Sequence, residues 1–127
     1  MTRINCVPVG ELTREHLVAE YRELPRAFKL IRQAIARGEA PTDARNPRAY
    51  TLGTGHVRFF YDKVPWLLAR QEALCGEMAR RGYHVGFPFD AAALLPEGCP
   101  VDRWNAWRPD DAALALNRAR IAERLAG

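Results

Sequence analysis

The sequence predicts an all-α fold, a compact single domain (1–127) of three main helices joined by long irregular loops. Three observations lead there. Apolar residues recur at helical spacing in three separate stretches. Each stretch is bounded by residues suited to helix ends. Nowhere does the chain show a convincing strand alternation or an internal repeat. At 127 residues it is long enough to bury one modest core.

The clearest helix covers 13–37. Leu17, Tyr21, Leu24, Phe28, Ile31 and Ile35 follow alternating steps of four and three. Thr13 is a suitable N-cap and Gly38 a suitable stop. Pro25 lies inside the pattern, where its missing N–H is expected to kink the helix without ending it. Residues 39–55 are rich in Pro, Gly, Arg, Thr and Asn and read as a loop, in which Gly53-Thr54-Gly55 permits close backbone approach.

A second helix is expected from Val64 or Pro65 to Arg81, with Pro65 in its first turn and Gly82 closing it. Leu67 or Leu68, Leu74 and Met78 are its inward positions. Residues 83–109, rich in Pro and Gly, are mostly irregular. The third helix runs from Asp110 to about Leu125. Pro109 and the paired Asp suit its start, and Leu114, Ile121 and Leu125 form its apolar face.

Composition narrows the function classes. The chain is 48% hydrophobic and 27% charged, as in an ordinary globular protein. No apolar run approaches the roughly 18 residues of a membrane span. No apolar segment follows Arg3 as a secretory signal would require, so a cytoplasmic location is expected. The pI is about 9.3, and of 19 positive residues all but Lys29 and Lys63 are Arg. The guanidinium fork suits phosphate, which points to a polyanionic partner; a GC-rich coding bias accounts for the same excess. Cys6, Cys75 and Cys99 lack zinc-finger spacing and read as free buried thiols. A cysteine hydrolase built on Cys6 or Cys75 has no supporting motif.

Projected at about 100° per residue, the first helix separates its functions by face. Arg22, Arg26 and Lys29 cluster between about 20° and 80°, with Gln33 among them. Glu23 and His16 lie at about 140° and 160°, between that basic stripe and the core. A carboxylate at the edge of a cationic surface can assist proton transfer or stabilise positive charge beside a bound phosphodiester. An ordinary amphipathic helix with a basic solvated face has the same pattern. At the N-terminus, removal of Met1 ahead of the small Thr2 exposes an α-amine. With a pKa near 7.7–8.0, about 10–20% of it is uncharged at pH 7, and Arg3 beside it favours the neutral form further. Such an amine is a natural nucleophile toward a sugar carbon or an aldehyde.

Together, Met1-Thr2-Arg3-Ile4-Asn5, His16 through Arg26, Gly55-His56-Val57 and Phe59-Phe60-Tyr61-Asp62-Lys63 closely resemble the pyrimidine-dimer DNA glycosylase/AP lyase family. These are the endonuclease V enzymes that cut at ultraviolet photoproducts. The resemblance runs from Thr2 to about Lys63 and thins beyond. It implies that the Thr2 amine attacks C1′ of the damaged nucleotide, displaces the base and leads through an imine to β-elimination. It assigns the catalytic carboxylate to Glu23, phosphate contacts to Arg3, Arg22 and Arg26, and a supporting role near Glu23 to His16. Arg120 and Arg124 fall where the family has DNA-contacting basic residues, Lys29 extends the basic face, and His56 is a candidate DNA contact. Phe59 and Phe60 read as core residues in an Asp62-capped turn.

The implied partner is double-stranded damaged DNA, bound by a monomer away from membranes, with no cofactor and no metal. Family members with an aromatic, lysine-rich C-terminal tail differ from this chain, which ends Arg124-Leu125-Ala126-Gly127. Trp104 and Trp107, with Arg103 and Arg108, either substitute for that tail by stacking on bases or serve in packing. The alternative to an enzyme is a non-catalytic helical module that grips nucleic acid with the same Arg residues.

Overall fold

The structure is a computed structural model that describes residues 3–94 and 103–126. Among the described residues there are four α-helices: α1, Arg14–Ala36; α2, Val64–Arg80; α3, Ala91–Leu94; and α4, Asp111–Ala126. Short 3₁₀ turns at Val9–Glu11 and Arg58–Phe60 precede α1 and α2. Among the described residues there is no strand, only an isolated antiparallel bridge between Lys63 and Trp104. No described helix is long and apolar enough to cross a membrane.

The ends of the helices follow from local chemistry. The Thr13 side chain accepts the His16 N–H at the start of α1. At its end Gly38 takes a φ of 76°; its N–H bonds the Ile35 carbonyl and the Glu39 N–H bonds the Ala34 carbonyl. That is a Schellman closure, which needs a left-handed residue where Gly38 stands. Gly82 closes α2 in the same way, through Gly82 to Ala79 and Tyr83 to Met78. At the start of α4, Asp110 accepts the Ala113 N–H at 2.7 Å. Lys63 holds the N-cap position of α2 and gives no side-chain cap, while Asp62 pairs with the Lys63 ammonium at 2.8 Å. The expected Asp62 cap is therefore replaced by an ion pair.

The core lies mainly between α1 and α2, the most closely packed pair of helices. Leu17, Tyr21, Leu24, Phe28 and Ile31 of α1 are buried as their spacing predicts, and Ile35 is partly buried. Leu67, Leu74 and Met78 supply the facing surface of α2, and Leu68 turns partly outward. Phe59 and Phe60 are buried beside them. Burying each such side chain contributes roughly 1.5–3 kcal/mol. Trp107, partly buried, packs into this aromatic cluster, with its ring centroid 5.2 Å from Phe59 and 5.0 Å from Trp66. Trp104 is 40% exposed.

Of the predicted apolar face of α4, Leu114 and Ile121 pack against the core, partly buried, and Leu125 does not. Leu125 is 58% exposed, and the fully buried positions are Ala113 and Asn117. The inward face of α4 is mixed: Ala113, Leu114 and Ile121 join the apolar core, while Asn117 meets the backbone of the N-terminal segment. Cys6 and Cys75 are buried free thiols, as expected, and burial pushes Cys6 up to about 11. Cys99 lies outside the described residues.

Candidate active site

One face of α1 opens onto a cavity of about 420 Å³. His16, Ala19, Glu20 and Glu23 line it, at the i, i+3, i+4, i+7 spacing that stacks side chains along one stripe. Arg3 and Asn5 of the N-terminal segment close one side, and Arg124 of α4 reaches in from another. Glu15 lines it as well, so three carboxylates of α1 border the cavity. His16 is held through Nδ1, 2.7 Å from the Thr13 hydroxyl.

Beneath this cavity lies a buried polar network. Glu20, 2% exposed, accepts from Arg70 Nε at 2.7 Å and Arg70 Nη2 at 3.0 Å. It also accepts from Asn5 Nδ2 at 2.9 Å. Asn5 Oδ1 accepts from Asn117 Nδ2 at 2.8 Å. The Asn117 side-chain oxygen, Oδ1, in turn accepts the backbone N–H of Cys6 at 2.8 Å and of Val7 at 3.1 Å. Arg70 donates its remaining Nη1 to the Val7 carbonyl. Each buried group thus has partners, which is what makes a buried charge tolerable. Two carboxylates three residues apart on one helix are given different duties: Glu20 is tied down, and Glu23 borders the open cavity.

The cationic side of the cavity is crowded. Burial, and then the nearby charges of Arg120 and Arg124, hold the Arg3 guanidinium below its ordinary pKa. Arg3 Nη1 and Arg120 Nε are buried without a hydrogen-bond partner, and Arg120 has only a long contact, 3.9 Å, with Glu123. A phosphate would relieve this surface, since its charge offsets the mutual repulsion of the three guanidinium groups and its oxygens supply acceptors to the two unpaired donors.

The predicted site residues separate into three groups. Arg3, His16, Glu23 and Arg124 meet at the cavity, with Arg120 adjacent. Arg22, Arg26 and Lys29 lie exposed on the next face of α1. Arg22 borders different cavities, one with Pro25, Gln71 and Phe87 and another with Arg14 and Tyr83. Thr2 lies outside the described residues. His56 requires a correction. It is 4% exposed, with both ring nitrogens engaged inside the protein, so neither is free for DNA. Arg103 is likewise buried, donating to the Tyr61 carbonyl at 3.1 Å and to the Glu39 carbonyl. Arg118 is paired with Glu11 at 2.9 Å. Among the described residues no group of three or more His, Cys, Asp or Glu is placed to hold a metal ion.

Glu20, Asn5, Arg70 and Asn117 escaped the sequence reading. For Glu20 a signal existed: it stands four residues after His16 and three before Glu23, on their stripe. The others pair across 15 residues (Asn5 with Glu20), 50 (Arg70 with Glu20) and 112 (Asn117 with Asn5), beyond the reach of any local pattern. The family model described as pyrimidine dimer DNA glycosylase matches residues 1–90 of this chain.

Proposed function

Since this chain belongs to the pyrimidine dimer DNA glycosylase family, we propose that it excises cyclobutane pyrimidine dimers from duplex DNA and then cuts the strand by β-elimination at the abasic site. The cavity that gathers Arg3, His16, Glu23 and Arg124 is the observation that carries this reading, because position 2 is covalently joined to Arg3 at its rim.

The chemistry assigns each group a task. The neutral Thr2 amine forms a bond to C1′ as the C1′–N glycosidic bond breaks, the electron pair leaving with the base. The Glu23 carboxylate offsets the positive charge that develops on the sugar. Opening of the C1′–O4′ bond gives the imine. Loss of a C2′ proton, assisted by Glu23, expels the 3′ phosphate and cuts the strand, and water then hydrolyses the imine to free the amine. Arg3, Arg120 and Arg124 hold phosphates at the cavity, while Arg22, Arg26 and Lys29 extend the grip along the outer face of α1. The protein acts as a monomer without a cofactor.

The test is incubation with a duplex bearing one cyclobutane dimer, and with one bearing an abasic site, each with and without borohydride. Strand cutting at both lesions and a trapped covalent adduct are expected. Cutting at the abasic site alone would remove the dimer glycosylase step, and no adduct on either duplex would remove the imine.

A further inference from the structure

The most deeply buried imidazole in the described structure takes no part in that chemistry, yet it holds the backbone next to it. His56 Nε2 accepts the Ile4 N–H at 2.8 Å, and Nδ1 is 2.7 Å from the Thr51 carbonyl. A backbone N–H can only donate and a carbonyl can only accept. Nε2 must therefore be the bare nitrogen and Nδ1 must carry the hydrogen, which fixes one neutral tautomer. Tyr50 completes the hold on the same residue, donating its hydroxyl to the Ile4 carbonyl at 3.1 Å.

The fold is arranged to deliver this ring. Gly53 and Gly55 take φ values of 74° and 84°, and the His56 N–H closes the turn on the Gly53 carbonyl at 3.0 Å. A Cβ on Gly55 would stand 2.7 Å from Pro47 Cγ, so the position needs glycine for both its backbone and its space. Beyond Ile4, the amides of Cys6 and Val7 are held by Asn117. Residues 4–7 thus pair their backbone with side chains where a strand would pair with a neighbour.

We propose that His56 is a positioning residue: its neutral imidazole pins the Ile4 amide and so sets where the position-2 amine stands against Glu23. This rests on the reading of that amine as the nucleophile. Only Arg3 intervenes between Ile4 and position 2. At most about 3.6 Å of chain per residue keeps the amine within about 7 Å of the pinned amide. An error of about 1 Å in placing a reacting atom can cost as much as about a hundredfold in rate.

Two substitutions divide the two ends of the ring. In His56→Asn the amide can replace Nδ1 toward Thr51 but leaves the Ile4 N–H without an acceptor. In His56→Gln the longer side chain can place an oxygen near the former Nε2. The full-length protein and both variants would be compared on abasic-site duplex for borohydride-trapping rate at saturating protein, and for duplex affinity. Reductive alkylation of the N-terminus by propionaldehyde, which needs no placement, supplies the control. His56→Asn should trap about ten- to a hundredfold more slowly, with duplex affinity and propionaldehyde reactivity unchanged, and His56→Gln should recover most of the rate. If His56→Asn fails to fold, Tyr50→Phe, which removes only the bond to the Ile4 carbonyl, must show the same selective slowing. Wild-type trapping by folded His56→Asn or by that fallback variant, or an equal loss in both His56 variants, would overturn the proposal. No adduct in the unsubstituted protein would instead overturn the nucleophile, and this proposal with it.

Discussion

Gln71 of α2 donates its side-chain N–H to the Tyr21 carbonyl of α1 at 3.3 Å, and Tyr21 is the residue whose helical partner Pro25 removes. A regular α-helix would bond that carbonyl to the N–H of residue 25; proline has none. Gln71, 2% exposed, supplies the missing donor from the neighbouring helix, and α1 continues to Ala36.

Replacing Gln71 with Ala should therefore destabilise the protein by about 1–3 kcal/mol, the cost of a buried carbonyl left unpaired. Pro25→Ala restores an N–H at position 25. In that background the same Gln71→Ala change should cost less by about 1 kcal/mol, measured by denaturant unfolding as a double-mutant cycle. Strict additivity would show that the Gln71 bond does not stand in for the helical one.

Glu20 and Glu23 of α1 should fail in different ways. Arg70→Ala leaves Glu20 buried with Asn5 alone, and a loss of about 3–5 kcal/mol in unfolding free energy is expected. Glu23→Gln should leave stability and duplex affinity intact, or raise affinity, since it removes negative charge near phosphate. Its glycosylase rate should fall by at least about a hundredfold. Near-normal turnover in Glu23→Gln would return Glu23 to the role of a surface residue.

How much of this was legible in the sequence varies with the range of the interaction. The three long helices announced themselves because Leu17 through Ile31 repeat within a single element and Gly38 and Gly82 act within one turn. The four-residue α3 is too short to carry a period. Leu125 was misplaced because periodicity reports an apolar stripe but not how far its partner extends: Leu114 and Ile121 of the same stripe pack against the core, and Leu125 in the last turn does not. His56 was assigned to DNA for a related reason: an isolated histidine looks alike whether its ring points to solvent or to the Ile4 amide fifty-two residues away.

Salt dependence should distinguish cationic residues that meet DNA from those that serve the fold. Arg124→Gln at the cavity, and Arg22→Gln and Arg26→Gln on the outer face, should each weaken duplex binding. Each should also reduce the slope of log K against log salt by about one unit. Arg118→Gln should leave the slope unchanged, because that side chain is spent on Glu11. Equal slopes across all four variants would mean that α1 and the cavity do not meet the phosphate backbone.

Acid should loosen the N-terminal segment. Burial first, then repulsion from Arg3, holds His56 below the ordinary imidazole value, against the pull of its Thr51 bond; the Ile4 N–H, donated to the bare Nε2, also favours the neutral ring. The neighbouring Tyr50 stays neutral, its pKa driven up chiefly by burial. The unfolded chain therefore takes up the His56 proton before the folded protein does. Stability from this group is complete above about pH 6.5, the unfolded value, and declines as pH falls from there through the folded pKa. Thermal unfolding of the parent and His56→Gln between pH 7.5 and roughly 5 should show a steeper decline in the parent; parallel curves would mean that His56 protonates equally in both states.

The most direct measurement is borohydride capture on abasic-site DNA followed by peptide mapping of the crosslink. The bond is expected at the α-amine of residue 2, and retention of Met1 or acetylation of Thr2 should abolish it while duplex binding persists. A crosslink mapped to Lys29 or Lys63, surviving N-terminal blocking and lost when that lysine is replaced, would contradict the assignment of the N-terminal amine as the nucleophile.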